Sequence, residues 1–129
     1  MILALRTDKP EAELYVFDQL KQVDQLAWHA HRELSDTLLL KIEEILNRNK
    51  LDKKDLKGLV VYEGPGSFTG LRIGISVMNA LSYSLNIPIS GGTGDSWRED
   101  AINKLTQPND IKIVLPHYGS EPHITKPRK

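Results

Sequence analysis

The residues best placed for chemistry are Gly64-Pro65-Gly66-Ser67-Phe68-Thr69-Gly70, with Arg72 just beyond, lying between an apolar run and a helical one. A glycine-rich turn feeding a helix N-terminus is where backbone N–H groups and the helix dipole can hold a phosphate. The phosphate loop of nucleotide hydrolases, however, has four residues between its glycines and then Lys with Ser or Thr. Here Gly70 is followed by Leu71 and Arg72, so no lysine is in place, and the dinucleotide spacing is not met either. Turn geometry, with N-capping by Ser67 or Thr69, accounts for the loop without a ligand. An actin-like enzyme binding nucleotide or phosphate at Gly64–Gly70 is the alternative reading.

The other candidates are incomplete. His29 and His31, two apart, would share one face of a strand and could chelate a metal. No third ligand lies near them in sequence and His31 begins a helical pattern, so no metal is expected. His117 and His123 have no accompanying carboxylate motif. Asp8, Asp18, Asp24 and Glu63 could form a ribonuclease-type carboxylate cluster, but their spacing does not require it, and Asp18 and Asp24 suit the flanks of a hairpin. No serine stands in a nucleophile-elbow pattern. With no cysteine in the chain, disulfides, thiolate catalysis and the usual zinc frameworks are excluded. No catalytic constellation is complete, so neither an enzyme nor a cofactor is expected.

Charge and length narrow the partners. Lys plus Arg and Asp plus Glu both number 17, giving zero formal net charge. A nucleic-acid-binding domain is usually basic throughout, so contact with RNA would be local or made through another protein. The basic end His123-Ile-Thr-Lys-Pro-Arg-Lys129 could touch RNA phosphate, though a solvated terminus has the same composition. No run approaches the ~20 apolar residues of a membrane span. Met1–Arg6 lacks a basic leader. The expectation is a cytoplasmic protein of 129 residues, enough for one domain.

The elements that must position the loop follow from periodicity. Ile2–Leu5 is an unbroken apolar run, as in a central strand buried on both faces. Leu14–Phe17 and Val23–His29 are two more strands, the latter an outer one, close enough to complete a meander. A helix from about Arg32 to Arg48 gathers Leu34, Leu38, Ile42, Ile45 and Leu46 on one face, widened by Leu39. Asn49 ends it in a left-handed turn with Leu51 folding back, and Asp52 opens a capped turn closed by Gly58. Leu59–Tyr62 is a buried strand. A second helix runs from about Gly70 to Leu85, stopped by Asn86 and Pro88. Ile87–Ser90 is a short strand, Gly91–Gly94 a flexible hinge, and Asp95 caps a third helix bearing Trp97, Ala101 and Leu105. Ile111–Leu115 is a last strand, and an extended tail follows. Strands in a meander followed by helix-linked strands give an α/β fold, a mixed sheet with helices, as in ribonuclease-H-like and actin-like ATPase domains.

As a specific string, Gly64-Pro-Gly-Ser-Phe-Thr-Gly-Leu-Arg-Ile-Gly74 resembles the signature of the TsaB/YeaZ family. Asn79-Ala80-Leu81, Leu85, Ile87-Pro88 and His31-Arg-Glu-Leu34 continue the resemblance, which covers about residues 1 to 116. It implies a protein that shares the fold of the catalytic subunit TsaD but lacks its metal-binding histidines and working ATP site. Such a protein pairs with TsaD, and with the ATPase TsaE, to support threonylcarbamoyl transfer to adenosine in tRNAs reading codons that begin with A. The expected role is therefore a non-catalytic scaffold and activator, touching tRNA only indirectly. Two features depart from the family pattern. Arg6-Thr7-Asp8 replaces an Asp-Thr-Ser-like turn after the first strand. The chain also reads as a short form, a lobe over residues 1–116 and a basic tail over 117–129, without the family's second domain.

The second helix supports a partner on its own terms. Leu71, Ile75, Met78 and Leu85 cluster within ~40° on a helical wheel, and Ile73, Val77, Ala80 and Leu81 form another apolar face. One face covers a sheet; the other needs either the first helix or another chain. Gly70 and Gly74 permit close helix approach, and Leu40 adds an apolar residue to the otherwise polar side of the first helix. The expected interface comprises Leu38, Leu39, Ile42, Ile73, Gly74, Val77 and Leu81. It would serve a homodimer when the chain is alone and a TsaD-like subunit when one is present.

Overall fold

A computed structural model of the chain describes residues 1–30 and 33–105. Five strands make one sheet: β1 Ile2–Arg6, β2 Glu11–Asp18, β3 Lys21–His29, β4 Gly58–Tyr62 and β5 Ile89–Gly92. Three α-helices cover it: α1 Leu34–Arg48, α2 Phe68–Leu85 and α3 Trp97–Leu105. The sheet order is β3-β2-β1-β4-β5, with β1 antiparallel to β2, β2 antiparallel to β3, and β1, β4 and β5 parallel. The unbroken apolar run expected to be central is central, because β1 has neighbours on both edges and a helical layer on both faces.

Alternation along each strand sorts side chains to two faces. Leu3, Leu5, Leu14, Val16, Leu59 and Val61 share one face, and their partner strand β3 contributes Asp24, Leu26 and Trp28 to it. Trp28 Nε1 donates to Thr37 Oγ1 of α1, which places α1 over this face, and α2 packs beside α1. The opposite face carries Ala4, Tyr15, Val60 and Tyr62, and α3 closes it. Trp97 of α3 is 1% exposed and meets the rings of Tyr15 and Tyr62 edge-on at 6.1 and 5.6 Å. Both α1 and α2 return the chain between strands of one direction, so they lie parallel with their C-termini at the same end.

Leu34, Leu38, Ile42, Ile45 and Leu46 are buried, as the wheel requires. Leu39 does not widen that face: it is 53% exposed, lying ~85° from the centre of the stripe. The left-handed residue after α1 is Lys50 (φ 58), not Asn49 (φ −103). Asn49 instead uses its side-chain N–H groups on Asp24 and the Ile45 carbonyl. Leu51 N–H still folds back onto the Leu46 carbonyl at 2.8 Å. Helix α2 begins two residues before Gly70 and ends, as expected, at a left-handed Asn86.

The first half of the expected Gly91–Gly94 hinge is strand. Gly91 and Gly92 belong to β5 and are buried, and a methyl on Gly92 would overlap the Trp97 backbone, so glycine is what admits α3. Helix α3 opens on the carbonyl of Ser96, which accepts Asp100 N–H, and Asp95 precedes it. No helix among the described residues is long and apolar enough to cross a membrane. His31, Arg32, the Ile111–Leu115 strand, the tail with His117 and His123, and the boundary at 116 lie outside the described residues.

Candidate functional site

The glycine loop spans the gap between β4 and α2, and the turn after β1 is seated in it. Arg6 and Thr7 point to opposite faces, as successive strand residues do. On the α2 side, Thr7 Oγ1 donates to the Gly70 carbonyl at 2.7 Å, and Thr7 is buried. A methyl on Gly70 would overlap the Thr7 carbonyl oxygen. One on Gly74 would overlap Thr7 Oγ1, and one on Gly66 would strike the Asp8 side chain. The three glycines are therefore places where the β1–β2 turn approaches the loop and helix more closely than any Cβ allows. Gly64, at φ 118, holds a backbone angle that L side chains rarely adopt.

On the other side, Arg6 Nε and Nη2 donate to the two Asp8 carboxylate oxygens at 2.6 and 3.1 Å. The guanidinium lies 3.9 Å from the centre of the Tyr62 ring, and Tyr62 hydroxyl donates to the Pro65 carbonyl at 2.8 Å. Hydrogen bonding to Asp8 holds the Arg6 pKa above its ordinary value against the opposing effect of burial. Beside it, burial first and then the bond to Glu13 push the Tyr15 hydroxyl up to about 12. Ser67 N–H at the mouth of α2 already bonds to the Asp8 carbonyl at 3.4 Å. Ser67 stands at the N-cap of α2 without a side-chain capping bond, and Thr69 lies inside the helix, so capping by either side chain is not the loop's role. Arg72 is exposed on α2. The arrangement clamps one turn against one loop.

The carboxylates do not gather, in keeping with spacing that did not require a cluster: Asp8 is held by Arg6, Asp24 by Arg48, and Asp18 closes the β2–β3 hairpin opposite Lys21. Among the described residues no three His, Cys, Asp or Glu side chains gather at metal-binding distance. His29 lies at the exposed end of β3.

The helical surface divides the expected interface residues. Leu38 and Ile42 are fully buried in the chain's own core, and Gly74 is buried against Thr7, so these three belong to the fold and present no surface to a partner. Leu71, Ile75 and Met78 face the sheet and are buried. Ile73, Val77 and Leu81 are half-buried on the other face of α2, Ala80 is exposed beside them, and Leu39 is exposed on α1. Where the last turns of α1 and α2 meet there is an open groove of about 630 Å³, floored by Leu46, Leu51 and Leu85 and rimmed by Glu43, Asn47, Asp52, Lys53 and Lys54.

Thr7 and Asp8 as the partners of the glycines, and the Asp24–Arg48 pair, were not read from the sequence. Glycines four apart on the sheet-facing side of α2 were the available signal for the first. Nothing local signals the second, since its members are 24 residues apart.

A five-stranded mixed sheet with two helices on one face and one on the other, and a glycine clasp at a strand–helix junction, defines a ribonuclease-H-like, actin-like ATPase domain. Residues 27–91 match the family described as TsaD: tRNA N6-adenosine threonylcarbamoyltransferase. A tRNA threonylcarbamoyladenosine biosynthesis protein TsaB from Buchnera aphidicola subsp. Schizaphis graminum is 35% identical over 125 residues, covering 92% of this chain. A tRNA N6-adenosine threonylcarbamoyltransferase from Geotalea daltonii is 40% identical over 98 residues, covering 74% of this chain and 28% of its own length. The solved YeaZ from Pseudomonas aeruginosa superposes with a TM-score of 0.66 at 23% identity, over 71% of this chain. This chain spans 59% of the Buchnera relative and 43% of the solved YeaZ chain. The chain belongs to the TsaB/YeaZ family, whose fold the matching TsaD family shares.

Proposed function

We propose that this chain is a non-catalytic partner subunit in tRNA threonylcarbamoyladenosine biosynthesis, pairing through α1 and α2 with a TsaD-like catalytic subunit. The observation that carries the reading is the strip Ile73, Val77 and Leu81, which packs against the edge of the core yet stays partly exposed on α2. Contiguous apolar surface of this kind marks interaction sites. A standard interface hides ~800 Å² per partner, enough for this strip with Leu39 and Ala80. The same surface serves a homodimer when the chain is alone, so the two assemblies are mutually exclusive. A TsaE-like ATPase joins the complex as its energy-using component, and tRNA is contacted through the catalytic subunit. The glycine loop works as a packing clasp, with the β1–β2 turn already seated against it and no lysine in place for phosphate.

The test is Val77→Glu. Light scattering should show a dimeric parent and a monomeric variant, with unchanged circular dichroism and lost binding to a purified TsaD-like subunit. Because Val77 is partly exposed, a long glutamate side chain can carry its charge into solvent in the free monomer and need not unfold it. The reading fails if the parent stays monomeric at high concentration and binds no such subunit, or if the variant binds one as well as the parent does. Magnesium-dependent ATP turnover by the chain alone would refute the non-catalytic part.

A further inference from the structure

The outer edge of β3 carries no neighbouring strand among the described residues, yet its middle is already hydrogen-bonded. Ala30 N–H bonds to the Pro10 carbonyl at 2.9 Å, which makes the pair Ala30–Pro10 a bonded rung of the ladder. Antiparallel rungs alternate between bonded and non-bonded pairs. With the observed register, the bonded rungs continue through Trp28–Ala12 and Leu26–Leu14, so the backbone groups of Gln25, Ala27 and His29 point away from β2. A strand edge of this kind templates pairing with another chain.

At Gln25 both groups are taken. Its N–H donates to Asp24 Oδ1 at 2.8 Å, and its carbonyl accepts from Arg48 Nη2 at 2.8 Å. The two side chains are themselves joined, Arg48 Nε to Asp24 Oδ2 at 3.0 Å and Nη2 to Oδ1 at 2.9 Å. Asn49 Nδ2 adds a fourth bond to Asp24 at 2.8 Å. Arg48 and Asn49 come from the end of α1, so the helix reaches over the edge and closes it. A simple surface ion pair would leave the strand's own donor and acceptor free; this one consumes both.

We infer that the Asp24–Arg48 pair locks the edge of the sheet, and that the surface it closes fits the β3 strand of a second copy of this chain. An antiparallel pair centred on Ala27 would be self-complementary about a two-fold axis, and Gln25 of each copy would have to exchange both backbone bonds with the other strand. The lock makes that exchange impossible while it holds, leaving α1 and α2 as the surface open to partners.

The absence of native cysteine allows a clean test. Ala27→Cys is placed in the full chain with Arg48 intact, with Arg48→Ala, with Arg48→Lys or with Asp24→Ala, and disulfide-linked dimer is measured under mild oxidation. Lysine keeps the charge but cannot span the carboxylate and the Gln25 carbonyl together. Each lock variant should raise cross-linking by about tenfold, the factor carried by one hydrogen bond to a charged group. A control cysteine at Leu40, exposed on α1, should gain nothing from the same changes. Circular dichroism identifies any variant that unfolds, and the remaining two then decide. Equal Ala27→Cys cross-linking with and without the lock, or an equal gain at Leu40→Cys, overturns the inference.

Discussion

Placing a single methyl on Gly70 or on Gly74 separates two kinds of close approach. At Gly70 the obstacle is backbone: the new Cβ would overlap the Thr7 carbonyl oxygen and sit 3.3 Å from its carbonyl carbon. The turn must move, and the Thr7–Gly70 hydrogen bond goes with it. Overpacking of this kind costs about 1–3 kcal/mol and the bond about 1 kcal/mol. The gain from alanine over glycine in a helix returns at most about 1 kcal/mol. Gly70→Ala should therefore lose about 1–3 kcal/mol, lowering Tm by roughly 3–5 °C for each kcal/mol. At Gly74 the obstacle is a side chain, Thr7 Oγ1 and, at 3.0 Å, Cγ2. Thr7→Ala removes both atoms, so the pair Thr7→Ala with Gly74→Ala should be more stable than the sum of its parts by about 1 kcal/mol. Thr7→Ala cannot rescue Gly70→Ala, whose obstacle it leaves in place. Urea unfolding of the five variants against the parent measures all the terms. A Gly70→Ala chain as stable as the parent, or a Thr7→Ala background that rescues both glycine positions alike, would refute the clasp.

Other outcomes follow from single contacts. Trp97→Ala removes the ring between Tyr15 and Tyr62 and should cost about 3–5 kcal/mol in thermal unfolding, a large share of the ~5–15 kcal/mol a domain has. The hydrogen bond from Arg48, set against a smaller burial penalty, holds the Asp24 carboxyl down at about 2, below its ordinary 3.8. A lowered folded-state pKa contributes stability that is complete above the unfolded value and lost as pH falls through the folded one. The fall in Tm between pH 4 and pH 2 should therefore be shallower in Asp24→Asn than in the parent; identical slopes would show that the pair contributes nothing.

Element order was legible because each segment has one dominant period: the apolar run of β1, the meander, and the five buried positions of α1 all read directly from spacing. The errors cluster where a distant contact overrides a local preference. Asn49 favours the left-handed conformation, but Asp24 holds its side chain and the turn passes to Lys50. Gly91 and Gly92 resemble a hinge locally, while β4 on one side and α3 on the other make them strand. The interface reading overreached for a related reason. A helical wheel ranks residues by direction but does not say how deep the facing layer lies, so Leu38 and Ile42 looked available when the sheet had already covered them. The loop's string was recognisable, but its mate Thr7 is 63 residues from Gly70, beyond the reach of any spacing rule.

The parallel course of α1 and α2 has an electrostatic consequence for the turn beneath them. Each helix presents the partial negative charge of its unpaired carbonyls at its C-terminus, and here both ends fall on one side of the molecule. Only α1 carries a basic residue in its last turn, Arg48; α2 carries none. The connection from α1 to β4 contains Lys50, Lys53, Lys54 and Lys57, and Lys53 and Lys54 line the groove with Leu46 and Leu85 from the two helix ends. Lys53 also pairs with Glu43 at 3.5 Å. These lysines, interspersed with Asp52 and Asp55, supply partial countercharge to two aligned dipoles.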